Sequence, residues 1–250
     1  GILLNSPSYP PFYRAIEQNG RRLVRSDLLE LEGRYVFDFE DMERKIAQEN
    51  VKLYILCSPQ NPTGRVWTRT ELTRVGEMCL RHGVKVVSDE IHFDICYPGH
   101  EHSVFASLSD EFAANSVVLT APSKTFNLAG LIGSYHVIYS DYLRDRVESK
   151  GAKPHYNSMN VLSQHALIGA YGPEGRAWAD ELNQVIAGNV DWACDFIECS
   201  IPGVDVFRPQ GTYMLFLDCA QWCEKNGRSI DELLRAGWRV GVYWQDGRAF

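Results

Sequence analysis

Three short apolar runs each lead to one polar side chain, and the three side chains differ in kind. Leu53-Tyr54-Ile55-Leu56-Cys57 leads into Ser58-Pro59-Gln60-Asn61-Pro62-Thr63-Gly64. Val84-Lys85-Val86-Val87-Ser88 ends on Asp89, and Ser116-Val117-Val118-Leu119-Thr120 is followed by Ala121-Pro122-Ser123-Lys124. The amide, the carboxylate and the amine are 28 and 35 residues apart (61 to 89, 89 to 124). A lysine among apolar neighbours sheds its proton more easily and can form an imine. An acid at a strand end can keep a pyridine nitrogen protonated and the ring electron-withdrawing. An amide on a rigid turn can be aimed at a ring hydroxyl. Asn61, Asp89 and Lys124 are together what pyridoxal 5'-phosphate asks of a protein.

Each residue alone has a plainer reading. Lys124 could be a surface lysine reaching water. Asp89 could be a helix cap or half of an ion pair. Asn61 could be a turn residue, as Asn-Pro-Thr-Gly is turn-rich. Their order and their shared place at strand ends make the joint reading the stronger one, because open α/β sheets bind ligands at the carboxyl ends of their strands.

The elements that must position these groups follow a βαβ pattern, in which apolar runs alternate with amphipathic stretches and a parallel sheet results. Helices are predicted over 39–47 and 68–80. In the second, Thr68 and Glu71 form a capping box, Leu72, Val75, Met78 and Cys79 share one face, and Gly83 stops it. After residue 139 the pattern turns helical, over 141–149 and 158–171. Pro173-Glu174-Gly175 is expected to interrupt it before a long helix over 177–199, with Gly188 its weak point. A hairpin is predicted from 204–207 and 212–218 around Arg208-Pro209-Gln210-Gly211, then a short helix over 230–236 and a strand over 240–243. The fold class is α/β, with a large domain over 1–175 and a smaller α+β domain over 176–250.

The chain has 250 residues, 45% of them apolar and 23% charged, with a formal net charge of −7. That length buries a sizeable core. The negative charge argues against a nucleic-acid or anionic-membrane surface. No apolar run approaches the roughly 20 residues of a membrane span, and Gly1-Ile2-Leu3-Leu4-Asn5 lacks the basic start of a signal peptide. Seven cysteines without paired C-x-x-C spacing read as reduced, mostly buried thiols of a cytoplasmic protein. His100 and His102 sit in a polar loop and read as solvated, without a metal role. Both ends look internal to a longer protein.

The segments 58–64, Ser88-Asp89-Glu90-Ile91-His92 and 121–130 together resemble the class I/II aminotransferases of fold type I. More narrowly, they are similar to the cystathionine β-lyase, or C–S lyase, branch. The resemblance covers essentially the whole chain. It implies a three-layer αβα large domain with a mostly parallel sheet and a homodimer acting on an amino acid. It implies that Lys124 forms the imine with pyridoxal 5'-phosphate and shuttles the substrate α-proton. Asp89 would pair with the pyridinium nitrogen, and Asn61 would hydrogen-bond the ring hydroxyl. Tyr9, in Ser6-Pro7-Ser8-Tyr9-Pro10, matches the aromatic that stacks on the ring, and Ser123 would contact the phosphate. His92 stands where most aminotransferases of the family carry a tyrosine near the ring hydroxyl, as is common in the lyase branch. Ile132 stands where the phosphate-binding arginine is usual, so backbone donors and hydroxyls must take more of that work.

The reaction so implied is β-elimination from a sulfur amino acid, giving thiol, pyruvate and ammonia. Amino transfer on the same scaffold is the alternative, and a non-catalytic regulator that keeps the fold is a third reading. The 250 residues alone are expected to be poorly active.

Overall fold

The computed structural model describes residues 1–156 and 158–250; Asn157 lies outside the described residues. In chain order the first half runs β1 (Ile2–Ser6), α1 (Pro10–Gln18), β2 (Leu23–Asp27), β3 (Leu29–Leu31), β4 (Arg34–Val36), α2 (Phe39–Gln48), β5 (Leu53–Cys57), α3 (Arg69–Arg81), β6 (Lys85–Asp89), α4 (Asp110–Ala114), β7 (Ser116–Thr120) and β8 (Tyr135–Val137). The second half runs α5 (Asp141–Ala152), α6 (Val161–Ala170), α7 (Pro173–Ser200), β9 (Asp205–Val206), β10 (Leu217–Asp218), α8 (Ala220–Lys225) and α9 (Ile230–Arg239).

Six strands form one sheet in the order β2-β1-β5-β6-β7-β8. All neighbours are parallel except β8, which runs antiparallel to β7. The α/β class and the mostly parallel sheet are thus as expected. Inner strands of such a sheet are covered on both faces, so their sequences are nearly continuous apolar runs. Leu3 and Leu4 of β1, Tyr54 and Leu56 of β5 and Val86 of β6 are buried accordingly.

α2 and α3 bring Met42, Ile46, Leu72, Val75, Met78 and Cys79 into a core shared with Leu3, Tyr54, Leu56 and Val86. α2 begins where Asp38 accepts from Asp41 N, and α3 begins with the Thr68/Glu71 capping box. α3 ends before Gly83, whose φ of 64° suits a residue without Cβ. Trp67, wholly buried, donates its indole N–H to Cys57 O at 2.9 Å and stacks on Phe37. It thereby ties the end of β5 to the start of α3.

Several expectations need correction. Pro173 does not interrupt a helix; it begins one, because a first-turn position needs no N–H. Gly175 is there for close approach, since a Cβ would collide with Ala170 O at the end of α6. Gly188 does not break α7. The hairpin over 204–218 pairs only Asp205–Val206 with Leu217–Asp218, and the residues between are drawn towards the sheet. Residues 240–243 form no strand; Val242 N instead donates to Gly237 O at 2.9 Å, which turns the chain back against the end of α9. The cysteines are all free, but only Cys57, Cys79 and Cys194 are fully buried and Cys199 is exposed.

Candidate active site

Asn61, Asp89 and Lys124 meet because β5, β6 and β7 are adjacent, parallel and in register. Cys57 pairs with Asp89, and Asp89 with Leu119. Beyond these pairs Ser58 N donates to Asp89 O at 2.9 Å, and Glu90 N donates to Leu119 O at 2.8 Å. The three strand ends are therefore level. Neighbouring strands lie ~4.8 Å apart, so the outer two are separated by roughly 10 Å, the width of a substituted pyridine ring. Tyr9, directly after β1, extends the row by one strand on the Asn61 side.

Asn61 sits on a turn closed by Gly64 N to Gln60 O and Gln60 N to Arg65 O, both at 2.8 Å. Its side-chain oxygen is buried without a partner. Asp89 accepts from Ile91 N at 3.1 Å, so it caps the turn after β6. Burial pushes its carboxyl up to about 6; the Ile91 N–H opposes this, Glu90 adds to it and Lys124 opposes it. His92 lies three residues on, 1% exposed, with Nδ1 unpartnered. Burial, and then the Lys124 charge, lowers it to about 4. His92 is therefore neutral at ordinary pH.

Lys124 stands in a turn held by Phe126 N to Pro122 O and Leu128 N to Ser123 O. It is half-buried, and its charge acts on both Asp89 and His92. The next residue, Thr125, donates to Asp94 Oδ2 at 2.9 Å, which fastens the lysine turn to the turn after Asp89. Ser123 lies half-buried in the same turn. Tyr9 is 39% exposed, and its ring and that of Phe12 meet at 85°. Ile132 is 80% exposed.

One residue escaped the sequence reading, and one was misread. Glu90 is buried and accepts from Ser88 Oγ at 2.8 Å and Phe105 N at 3.0 Å, and pairs with His102 Nε2 at 2.7 Å. His102 is thus not solvated; its side chain is 6% exposed. This network braces the backbone on either side of Asp89. Its one signal was a second acid at a strand end, two residues from a serine on the same face.

The sequence matches the family described as Aminotransferase class I and II over residues 1–250. This chain belongs to that family. It is 40% identical over 236 residues to cystathionine beta-lyase PatB of Bacillus subtilis, covering 94% of this chain and 61% of that protein. Cystalysin of Treponema denticola, whose structure contains pyridoxal 5'-phosphate, superposes with a TM-score of 0.92 at 31% identity, covering all of this chain and 62% of that one. The pyridoxal-phosphate-bound C–S lyase of Staphylococcus hominis superposes equally well, at 30% identity and with the same coverage. The chain spans about three-fifths of the length of these relatives.

Proposed function

We propose that the whole protein is a pyridoxal 5'-phosphate-dependent C–S β-lyase that cleaves cystathionine or related cysteine S-conjugates. The observation that carries the cofactor reading is the level row of Asn61, Asp89 and Lys124 on three adjacent parallel strand ends, while elimination over amino transfer rests on His92. The likeness to PatB and to the two lyase structures supports it.

The residues present fit the cofactor. Among the described residues Asn61 Oδ1 and His92 Nδ1 are buried without partners, which a bound ring bearing donors and acceptors would satisfy. Asp89 is a half-buried carboxyl that accepts from Ile91 N through Oδ1, and among the described residues its other oxygen is left for a protonated ring nitrogen. When bound, the cofactor supplies an electron sink for the carbanion left at the substrate α-carbon.

Lys124 Nζ anchors that group and carries the α-proton. Asp89 holds the proton on the ring nitrogen by charge pairing. Asn61 donates its amide N–H towards the ring hydroxyl, and neutral His92 stands beside it without adding charge. Tyr9 would stack on the ring, and Ser123 would contact the phosphate. In the reaction the C–S bond breaks and sulfur leaves with the electron pair as thiolate. Water converts the three-carbon remainder to pyruvate and ammonia. We read the protein as a homodimer of the cytoplasm; no helix among the described residues is long and apolar enough to cross a membrane.

Amino transfer is the second reading, favoured by the breadth of the matched family. Both reactions begin with loss of the α-proton, and they part when the β-substituent leaves. The whole protein, incubated with cystathionine and separately with alanine plus a keto acid, should release pyruvate and thiol in equal amounts with little amino transfer. Steady amino transfer without thiol would sink the lyase reading.

A further inference from the structure

Residues 209–212 lie wedged between the turn that carries Asn61 and the turn that carries His92. On one side Gln210 N and Gly211 N donate to Gly64 O at 2.8 and 3.1 Å. On the other, Tyr97 N donates to Gln210 O and Thr212 N to Ile95 O, both at 2.9 Å, and Tyr97 Oη donates to Thr212 O at 2.8 Å. Both contacts depend on glycine. A Cβ at Gly64 would collide with Pro209, and one at Gly211 with Ile95 O.

The Gln210 side chain extends the clamp. Its Oε1 accepts from the Arg65 guanidinium and from Val66 N, the latter at 3.1 Å. Arg65 is 4% exposed and also donates to Tyr35 O at 2.8 Å and Glu71 Oε1 at 2.6 Å. The carbonyl of Arg65 closes the Asn61 turn through Gln60 N. At the far end of the wedge, the Tyr213 ring meets His92 edge-on at 5.4 Å.

We infer that Gln210 is a positioning residue: through Arg65 and Val66 its side chain fixes the turn that aims Asn61, and its backbone sets the spacing from that turn to His92. Gln210 itself touches no reacting group. The inference rests on the pyridoxal-phosphate reading of the site. Losing one buried acceptor strands two donors, and the Asn61 turn must shift to satisfy them. Small misplacements of a positioned group are costly.

The test uses the whole protein loaded with pyridoxal 5'-phosphate. The readouts are the cofactor dissociation constant, the pH midpoint of its visible band and urea stability. Gln210→Ala should raise the dissociation constant about tenfold, the size expected for stranding buried donors, and displace the pH midpoint. Gln210→Glu still accepts from Arg65 and Val66 and should restore both. Arg65→Lys keeps the charge beside Glu71 but cannot serve all three acceptors, and should displace the midpoint in the same sense. An unchanged dissociation constant and midpoint in Gln210→Ala, even with lower urea stability, would reduce Gln210 to a structural residue and overturn the inference. If Gln210→Ala does not fold, an unchanged band in Arg65→Lys overturns it. A wild type that binds no cofactor removes the reading of the site itself, and the inference with it.

Discussion

Asp89 and His92, three residues apart in the same turn, pull stability in opposite directions as pH changes. Burial holds Asp89 up at about 6, so between pH 4 and 6 the native chain keeps a proton that the unfolded chain has released. Its contribution therefore falls as pH rises through that window. Burial holds His92 down at about 4, so below pH 6.5 the unfolded chain takes up a proton that the native chain refuses. Its contribution falls as pH falls. The two offset one another in the unliganded protein. Asp89→Asn should remove one side of the balance. The urea midpoint of that variant is expected to fall more steeply than wild type between pH 6.5 and 4, while stability at pH 7 rises by on the order of 3 kcal/mol. Parallel stability profiles would show that Asp89 is not held high. The same burial bears on the proposed function: the Lys124 charge offsets only part of the cost of an ionised Asp89, and a protonated ring nitrogen would offset more of it.

The elements place these residues, and the glycines decide how closely two elements meet. Gly64 and Gly20 both have positive φ, 69° and 64°. A Cβ at Gly20 meets nothing within 4 Å, whereas one at Gly64 runs into Pro209. Gly20→Ala should therefore cost about 1 kcal/mol, from the left-handed backbone alone. Gly64→Ala should cost about 3 kcal/mol, because overpacking adds to that strain. Urea unfolding of both variants measures the difference, and equal losses would mean that residues 209–212 do not pack against the Asn61 turn.

Much at this scale was legible in the sequence, because β5, β6 and β7 are apolar runs each ended by a polar residue, and α3 carries its capping box in plain view. The failures share a cause. Pro173 looks like a breaker until its position in the first turn is known. Residues 240–243 have strand-like composition, yet a strand exists only beside another strand. The bond from Arg65 to Gln210 spans 145 positions, and the His102–Glu90 pair joins a loop to a strand end. No periodicity reports such contacts.

Across the whole molecule, the site is assembled from β1, β5, β6 and β7 and clamped by a segment some ninety residues beyond Lys124. Sheet order and register bring the ends of β1, β5, β6 and β7 side by side; Asn61, Asp89 and Lys124 were legible because each lies at or within a few residues of an apolar run's end, whereas Tyr9 was named through the family resemblance. Gln210 was not recovered, since its role depends on where the later chain returns. The central claim is that this row holds pyridoxal 5'-phosphate through Lys124. The most direct measurement is the visible absorption of the whole protein after incubation with the cofactor and removal of excess, in wild type and in Lys124→Ala. A visible band in the wild type, discharged by borohydride with the label retained on Lys124 and missing from the variant, is the predicted result. A wild type without the band, or a variant that keeps it, would contradict the claim.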